Sequence, residues 1–190
     1  MRSSQRAVSK VTIQNVVTTA SMRHGFDLDT IVIAFPHVVQ YPPKQFPGIC
    51  YRLEKPKTSI LIFRTGKMVC TGAKSERVAR RGIHKVLREL KARGIIVRGR
   101  PEITVQNIVA SAELGGGIDL ESLVYKFGRV MYEPEQFPGA VYRMDEPKVV
   151  ILIFTNGKLV ITGAKDEEQI YRAVDKLRKR LVGEEQLSCE

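Results

Sequence analysis

Cysteine and histidine are both scarce in this chain of 190 residues, with three of each. Cys50, Cys70 and Cys189 are odd in number and far apart, with no CxxC pair and no histidine at ligand spacing. That pattern argues against a disulfide framework and a zinc site, and two of the three cysteines read as small buried apolar residues. No stretch approaches the roughly 18 apolar residues of a membrane helix. The opening Met1-Arg2-Ser3-Ser4-Gln5-Arg6 lacks the apolar core of a signal peptide, so the expected place is inside the cell, away from membranes. Acidic residues are scarce in one half only: residues 1–100 hold 20 Lys/Arg against 5 Asp/Glu, and residues 101–190 hold 11 against 15. The net charge of +11 and the pI of 9.8 point to a polyanionic partner, and the uneven distribution to different attachments at the two ends.

What the chain does contain, it contains twice. The run Ile-Leu-Ile-Phe-x-x-Gly-Lys-x-Val-x-Thr-Gly-Ala-Lys extends from Ile60 to Lys74 and again from Ile151 to Lys165, an offset of 91. Each copy is two apolar runs about a turn, Thr65-Gly66 or Asn156-Gly157, and reads as a β-hairpin with a two-residue turn. Gln45-Phe46-Pro47-Gly48 returns as Gln136-Phe137-Pro138-Gly139, Tyr51-Arg52 as Tyr142-Arg143, and Pro56-Lys57 as Pro147-Lys148. Gln14-Asn15 and Asp27-Leu28 return as Gln106-Asn107 and Asp119-Leu120 at an offset of 92. A single tandem duplication implies two similar halves about an approximate twofold axis, since a solenoid needs about three repeats. The expected division is residues 1–99 as first repeat, 100–182 as second and 183–190 as a short acidic tail without regular structure. Both repeats are expected to form one structural unit.

Taken in order, Val11–Ala20 reads as a long strand, with Asn15 and Val17 on one face and Val16 and Thr18 on the other. Asp27 caps a short helix that stops before Pro36, and Val38–Tyr41 is a short strand. The stretch from Pro42 through Lys44 to Gly48 is a stiff loop with Phe46 near its tip. Strands over Ile49–Leu53, Thr58–Phe63 and Lys67–Thr71 follow. Ser75 then caps a helix whose Val78, Ala79, Ile83, Val86, Leu87 and Leu90 face inward. The second half repeats the order: strand Ile103–Ala112, a turn at Gly115-Gly116-Gly117, a helix from Asp119, the loop 133–139, and strands Ala140–Met144, Val149–Phe154 and Lys158–Thr162. The last helix has Asp166 and Gln169 placed as a capping box.

This order makes the fold α+β: one continuous, curved antiparallel sheet, a pseudo-twofold saddle with helices on its convex face. The uncovered face presents Asn15, Val17, Leu61, Phe63, Val69 and Thr71, with mates Asn107, Val109, Leu152, Phe154, Val160 and Thr162. An apolar surface of that extent marks a binding site. A DNA minor groove fits it: base acceptors for Asn and Thr, an apolar floor for Val and Leu, phosphates for Arg and Lys, and base steps into which Phe can wedge.

The paired Gln-Asn strands, Gln-Phe-Pro-Gly loops and Phe-x-x-Gly-Lys-x-Val-x-Thr-Gly-Ala-Lys hairpins resemble the TATA-binding protein family across residues 8–182. The short ends of the chain look more like an archaeal member, which implies a place at the nucleoid; a eukaryotic member would be nuclear. The resemblance implies a general transcription initiation factor that binds the TATA box of double-stranded promoter DNA, with no cofactor and no metal. It makes Phe46 with Phe63, and Phe137 with Phe154, the kinking wedges, with Pro47 and Pro138 supporting the loop-borne rings. Asn15, Asn107, Thr71 and Thr162 would bond to A·T acceptors, and Val17, Val69, Val109, Val160, Leu61 and Leu152 would touch the groove. Arg52, Lys67, Lys74, Arg143, Lys158 and Lys165 would hold phosphates. In the family the second loop docks transcription factor B, which brings RNA polymerase into the pre-initiation complex, and Glu133 and Glu135 match the acidic residues used there. The first loop has Pro42 and Lys44 instead.

The helix Ser75–Arg93 carries Arg77, Arg80, Arg81, Lys85, Arg88 and Lys91, which suit a regulator, flanking DNA or plain solvation. A sheet-based RNA-binding module would stack bases on strand-centre aromatics, whereas these Phe residues lie at strand ends and loop tips. An enzyme needs a general base or nucleophile. His24, His37 and His84 have no counterparts in the second repeat, and no doubled residue suits turnover, so no catalysis is expected.

Overall fold

The structure is a computed structural model that describes residues 10–40, 46–185 and 187–189. The first copy comprises β1 (Lys10–Ser21), α1 (Leu28–Ala34), β2 (Val39–Gln40), β3 (Gly48–Leu53), β4 (Thr58–Phe63), β5 (Lys67–Ala73) and α2 (Glu76–Ala92). The second comprises β6 (Glu102–Glu113), β7 (Gly116–Ile118), α3 (Leu120–Lys126), β8 (Val130–Met131), β9 (Ala140–Met144), β10 (Val149–Ile153), β11 (Lys158–Ala164) and α4 (Glu167–Gly183), with β12 (Leu187–Cys189) after it. Ten strands form one antiparallel sheet in the order β2-β3-β4-β5-β1-β6-β11-β10-β9-β8, and β12 pairs with β7 apart from it. The expected basic arm before Lys10, Tyr41, and the loop residues Pro42 and Lys44 lie outside the described residues.

The chain divides into two compact units, Gln14–Asn107 and the remainder from Ile108 with the residues up to Ile13. In the first, one face of β3, β4 and β5 buries Ile49, Tyr51, Ile60, Ile62, Met68 and Cys70, while α2 buries Ala79, Ile83, Val86, Leu87 and Leu90. Each large aliphatic side chain so buried is worth about 1.5–3 kcal/mol. Val78 is only half-buried, and Gly82 takes an inward place instead. A Cβ on Gly82 would stand 2.9 Å from the Thr58 hydroxyl, so its bare backbone lets helix and sheet approach closely. The second unit repeats the layer with Ile151, Ile153, Leu159 and Ile161 against Ile170, Ala173, Leu177 and Leu181.

Helix starts follow the sequence. Asp27, Ser75, Asp119 and Asp166 are the N-caps, each accepting a backbone N–H of the first turn. The Gln169 side chain bonds the Lys165 N–H at 3.1 Å, one residue outside the position a capping box requires. The hydroxyls of Thr30 and Ser122 donate to Asp27 and Asp119 at 2.6 Å, and hold both carboxyls below the ordinary 3.8. A depressed carboxyl stabilises the fold at neutral pH and loses that contribution as pH falls through its lowered value. Asp119→Ala should therefore lower the melting temperature at neutral pH, and thermal melts of the two chains should converge on strong acidification.

Three local details depart from the sequence reading. The hairpin turns are three-residue loops, with Gly66 N–H donating to Phe63 O at 3.0 Å and Gly157 N–H to Phe154 O at 2.9 Å. Only the glycine is left-handed, φ 89° at Gly66 and 73° at Gly157; this is a type I turn with a following αL residue, so Asn156 needs no positive φ. Gly116 and Gly117 lie in a strand, the turn falling at Gly115 with φ 74°. The tail is not without regular structure either: Leu187, Ser188 and Cys189 pair with Ile118, Gly117 and Gly116, because β7 offers an edge whose backbone groups need partners. Among the described residues no helix is long and apolar enough to cross a membrane.

Candidate nucleic-acid interface

In each unit the strands alternate between fully buried residues under the helices and half-buried residues on the opposite face. Asn15 and Val17 on β1, Leu61 and Phe63 on β4, and Val69 and Thr71 on β5 all fall in the half-buried set. So do Val109 on β6, Leu152 on β10, Phe154 just beyond it, and Val160 and Thr162 on β11, as does Asn107 at the end of the first unit. This is the face, and the register, that side-chain parity predicts. The expected rim residues Arg52, Lys67, Lys74, Arg143, Lys158 and Lys165 are all exposed.

A bulge shapes the polar part of the face. Opposite Val16 to Thr18, β5 spends one residue more, and the same irregularity recurs between β11 and β6. Gly72 and Gly163, with φ 87° and 100°, supply the left-handed residue that such a bulge needs. Both strands therefore continue past Thr71 and Thr162, where the sequence reading ended them. The bulge releases the Gly72 N–H from the ladder, and Asn15 Oδ1 accepts it at 2.7 Å. A backbone N–H is an unambiguous donor, so the Asn15 amide has one orientation: Nδ2 points to the Thr71 side of the face and donates to Thr71 Oγ1 at 3.1 Å. Asn15 thus presents N–H character where its oxygen is already spent. None of the matching residues Asn107, Thr162 and Gly163 is without a partner.

Each phenylalanine pair is one two-ring object. Phe46 and Phe63 lie with centroids 5.6 Å apart, and Phe137 and Phe154 5.8 Å apart at 63°, both favourable tilted arrangements. Phe46 and Phe137 are each 37% exposed, although fully apolar. The floor under each pair is a glycine. A Cβ on Gly48 would come within 3.1 Å of both rings, and one on Gly139 within 2.8 Å of Phe137 and 3.0 Å of Phe154. Parity could not reveal these glycines, which carry no side chain, yet they are the fourth residue of both Gln-Phe-Pro-Gly copies. Pro47 and Pro138 are exposed beside them. Phe137 is further fixed because its N–H donates to the Glu133 carbonyl at 3.0 Å; the side chains of Glu133 and Glu135 are exposed.

The sequence reading gives Lys57 and Lys148 no role, yet both line grooves on this face. Lys57 lines a groove with Arg52, Lys74, Asn15 and Thr71, and Lys148 one with Arg143, Lys165 and Gly163. The signal was the doubled Pro-Lys. In the first groove Lys74 Nζ is held by the Gln14 carbonyl at 2.8 Å. On α2, Arg80 pairs with Glu76 at 2.7 Å and Lys85 donates to the Lys55 carbonyl at 2.7 Å; Arg77, Arg81, Arg88 and Lys91 are exposed.

The model of the family described as transcription factor TFIID, or TATA-binding protein, matches residues 10–92 and 102–182. The TATA-box-binding protein of Pyrodictium occultum is 52% identical over 169 residues, covering 89% of this chain and 84% of that one. That of Aeropyrum pernix is 49% identical, covering 90% and 84%. The solved structure of Methanococcus jannaschii TBP superposes with a TM-score of 0.84 at 45% identity, covering 92% of this chain and 99% of that one. With both repeats matched and half of all aligned positions identical, the chain belongs to the TATA-binding protein family.

Proposed function

We propose that the chain is a general transcription initiation factor that binds A·T-rich promoter DNA in the minor groove and kinks it. The observation that carries this reading is the doubled strand face: half-buried Val and Leu, a turned-out Asn–Thr pair, and a two-ring phenylalanine wedge at the end. Each repeat takes one half of the site. Adenine N3 and thymine O2 are acceptors, which suits the Asn15 N–H donor. The valines and leucines lie against sugar and base edges, where a guanine amino group would be desolvated without a partner. Phe46 with Phe63, and Phe137 with Phe154, open one base step each, at a cost of a few kcal/mol per step, as is general for wedge-inserting proteins of which this family is a standing example. The wider contact of a bent duplex offsets that cost. Arg52, Lys57, Lys67, Lys74 and their mates hold the phosphates.

Glu133 and Glu135 stand on the loop that fixes Phe137, exposed and acidic at the end of the more acidic repeat. They dock transcription factor B, which in turn brings in RNA polymerase.

Binding should be measured by energy transfer on an end-labelled duplex, with an A·T-rich and a G·C-rich site. The A·T duplex should shorten on binding and the G·C duplex should not; sequence-blind binding to a straight duplex would overturn the reading. Replacing Lys57 and Lys148 by Ala should lower the slope of log affinity against log salt by about 2, at roughly 0.9 per phosphate contact. The A·T preference should stay. An unchanged slope removes the two lysines from the phosphate set.

A further inference from the structure

The groove in the second repeat holds a cation that the first does not repeat. Arg129 lines it with Arg143, Lys148 and Lys165, whereas the cations of the first groove, among the described residues, are Arg52, Lys57 and Lys74. The mate of Arg129, at the offset of 91, is Val38. Both hold the same place in the ladder: Arg143 N–H donates to the Arg129 carbonyl at 3.4 Å, and Arg52 N–H to the Val38 carbonyl at 3.2 Å. β8 continues this register, with Val130 opposite the buried Tyr142 and Met131 opposite Val141. Arg129 therefore shares the face of Arg143 and Val141, away from the helices.

Its backbone conformation is rare. Arg129 has φ 68°, and among the other described non-glycine residues only Glu185 is also positive. A left-handed arginine costs free energy that glycine does not, yet the adjacent Gly128 does not take that conformation. What the conformation secures within the chain is an ion pair with Asp145. With its members 66% and 74% exposed, that pair is screened by water and worth too little to offset the strain. We infer that Arg129 is a phosphate-binding residue found in the second repeat alone, held ready by Asp145 and passed to the DNA backbone when the duplex binds. This rests on the minor-groove reading above. A guanidinium is a planar fork that fits two oxygens, of carboxylate or of phosphate alike. A phosphate drawn in by Arg143, Lys148 and Lys165 replaces the weakly held carboxylate. The more acidic repeat thus grips one phosphate more than the basic one.

The test measures affinity for the A·T-rich duplex over a series of salt concentrations. Arg129→Gly should lower the slope of log affinity against log salt by about 0.9, the value of one phosphate contact. Arg129→Lys should keep the native slope, and so should Val38→Ala at the equivalent place in the first repeat. Glycine is at ease at positive φ, and thermal melts establish that the variant folds; Arg129→Asn, which also tolerates that region, gives an independent reading of the slope. Asp145→Asn should tighten binding, because Arg129 is then free at the start. Weaker binding by Asp145→Asn would make the ion pair part of the fold and overturn the inference. A native slope in Arg129→Gly, or a loss of affinity at unchanged slope, would overturn it as well. In all these cases the native chain still bends the A·T duplex and spares the G·C one. If the native chain does neither, the minor-groove reading fails and this inference with it.

Discussion

A chain carrying Phe63→Ala and Phe154→Ala will still hold A·T-rich DNA but will bend it far less, and will lose roughly 2 kcal/mol or more of affinity per wedge, as truncating a hot-spot aromatic does. The reason is in the pairing of the rings. Phe46 and Phe137 lean on Phe63 and Phe154 at 5.6 and 5.8 Å, and lose that support when the strand-borne ring is removed. Energy transfer on the end-labelled duplex reports the bend and titration reports the affinity. Retained bending with only weaker binding would mean that the loop-borne rings do the kinking unaided. Gly139→Ala is the companion, since the added methyl falls 2.8 Å from Phe137 and 3.0 Å from Phe154. It should spread the pair and reduce bending while removing no contact atom.

The second large effect is on stability. At Gly157 a Cβ would stand 2.2 Å from the Gly116 carbonyl oxygen, and at Gly66 2.1 Å from that of His24. Those obstacles are backbone, not the ends of flexible side chains, and both glycines also sit at positive φ. The strain of a left-handed non-glycine residue alone costs about 1–3 kcal/mol, and the clash adds to it. Gly157→Ala should thus remove about 3 kcal/mol or more, a large share of the roughly 5–15 kcal/mol that holds a typical domain. Gly115 is the control, for it has φ 74° and a methyl added there would meet nothing within 4 Å. Denaturant midpoints should place Gly115→Ala well above Gly157→Ala; equal losses would show that conformation, not contact, sets the cost.

Much of the face was legible because duplication lets a sequence be read against itself. Parity places Leu61, Phe63, Val69 and their mates on one side of a strand, and the second copy repeats the assignment independently. Caps were legible for a local reason: Asp27, Ser75, Asp119 and Asp166 act within three residues of themselves. The gaps are equally physical. A period of two says nothing about a bulge, so the strands were cut at Thr71 and Thr162 before the glycine that carries them onward. Gly48 and Gly139 work by having no side chain, which a reading of side chains passes over. The pairing of Leu187–Cys189 with Gly116–Ile118 joins segments about seventy residues apart and leaves no periodic trace in such short runs. Lys57 and Lys148 were visible as doubled residues, but only the grooves they line tie them to Arg52 and Arg143.

The bond between Asn15 and the bulge has a consequence for the entropy of recognition. An exposed asparagine samples several rotamers and both orientations of its amide, and a partner that needs one of them must freeze the rest at about 0.5–1.5 kcal/mol. Here that ordering happens when the chain folds, because the Gly72 N–H holds Oδ1 in place before any partner arrives. On the proposed minor-groove function, the side chain would meet the groove already aimed, and its hydrogen bond would carry no further cost of that ordering.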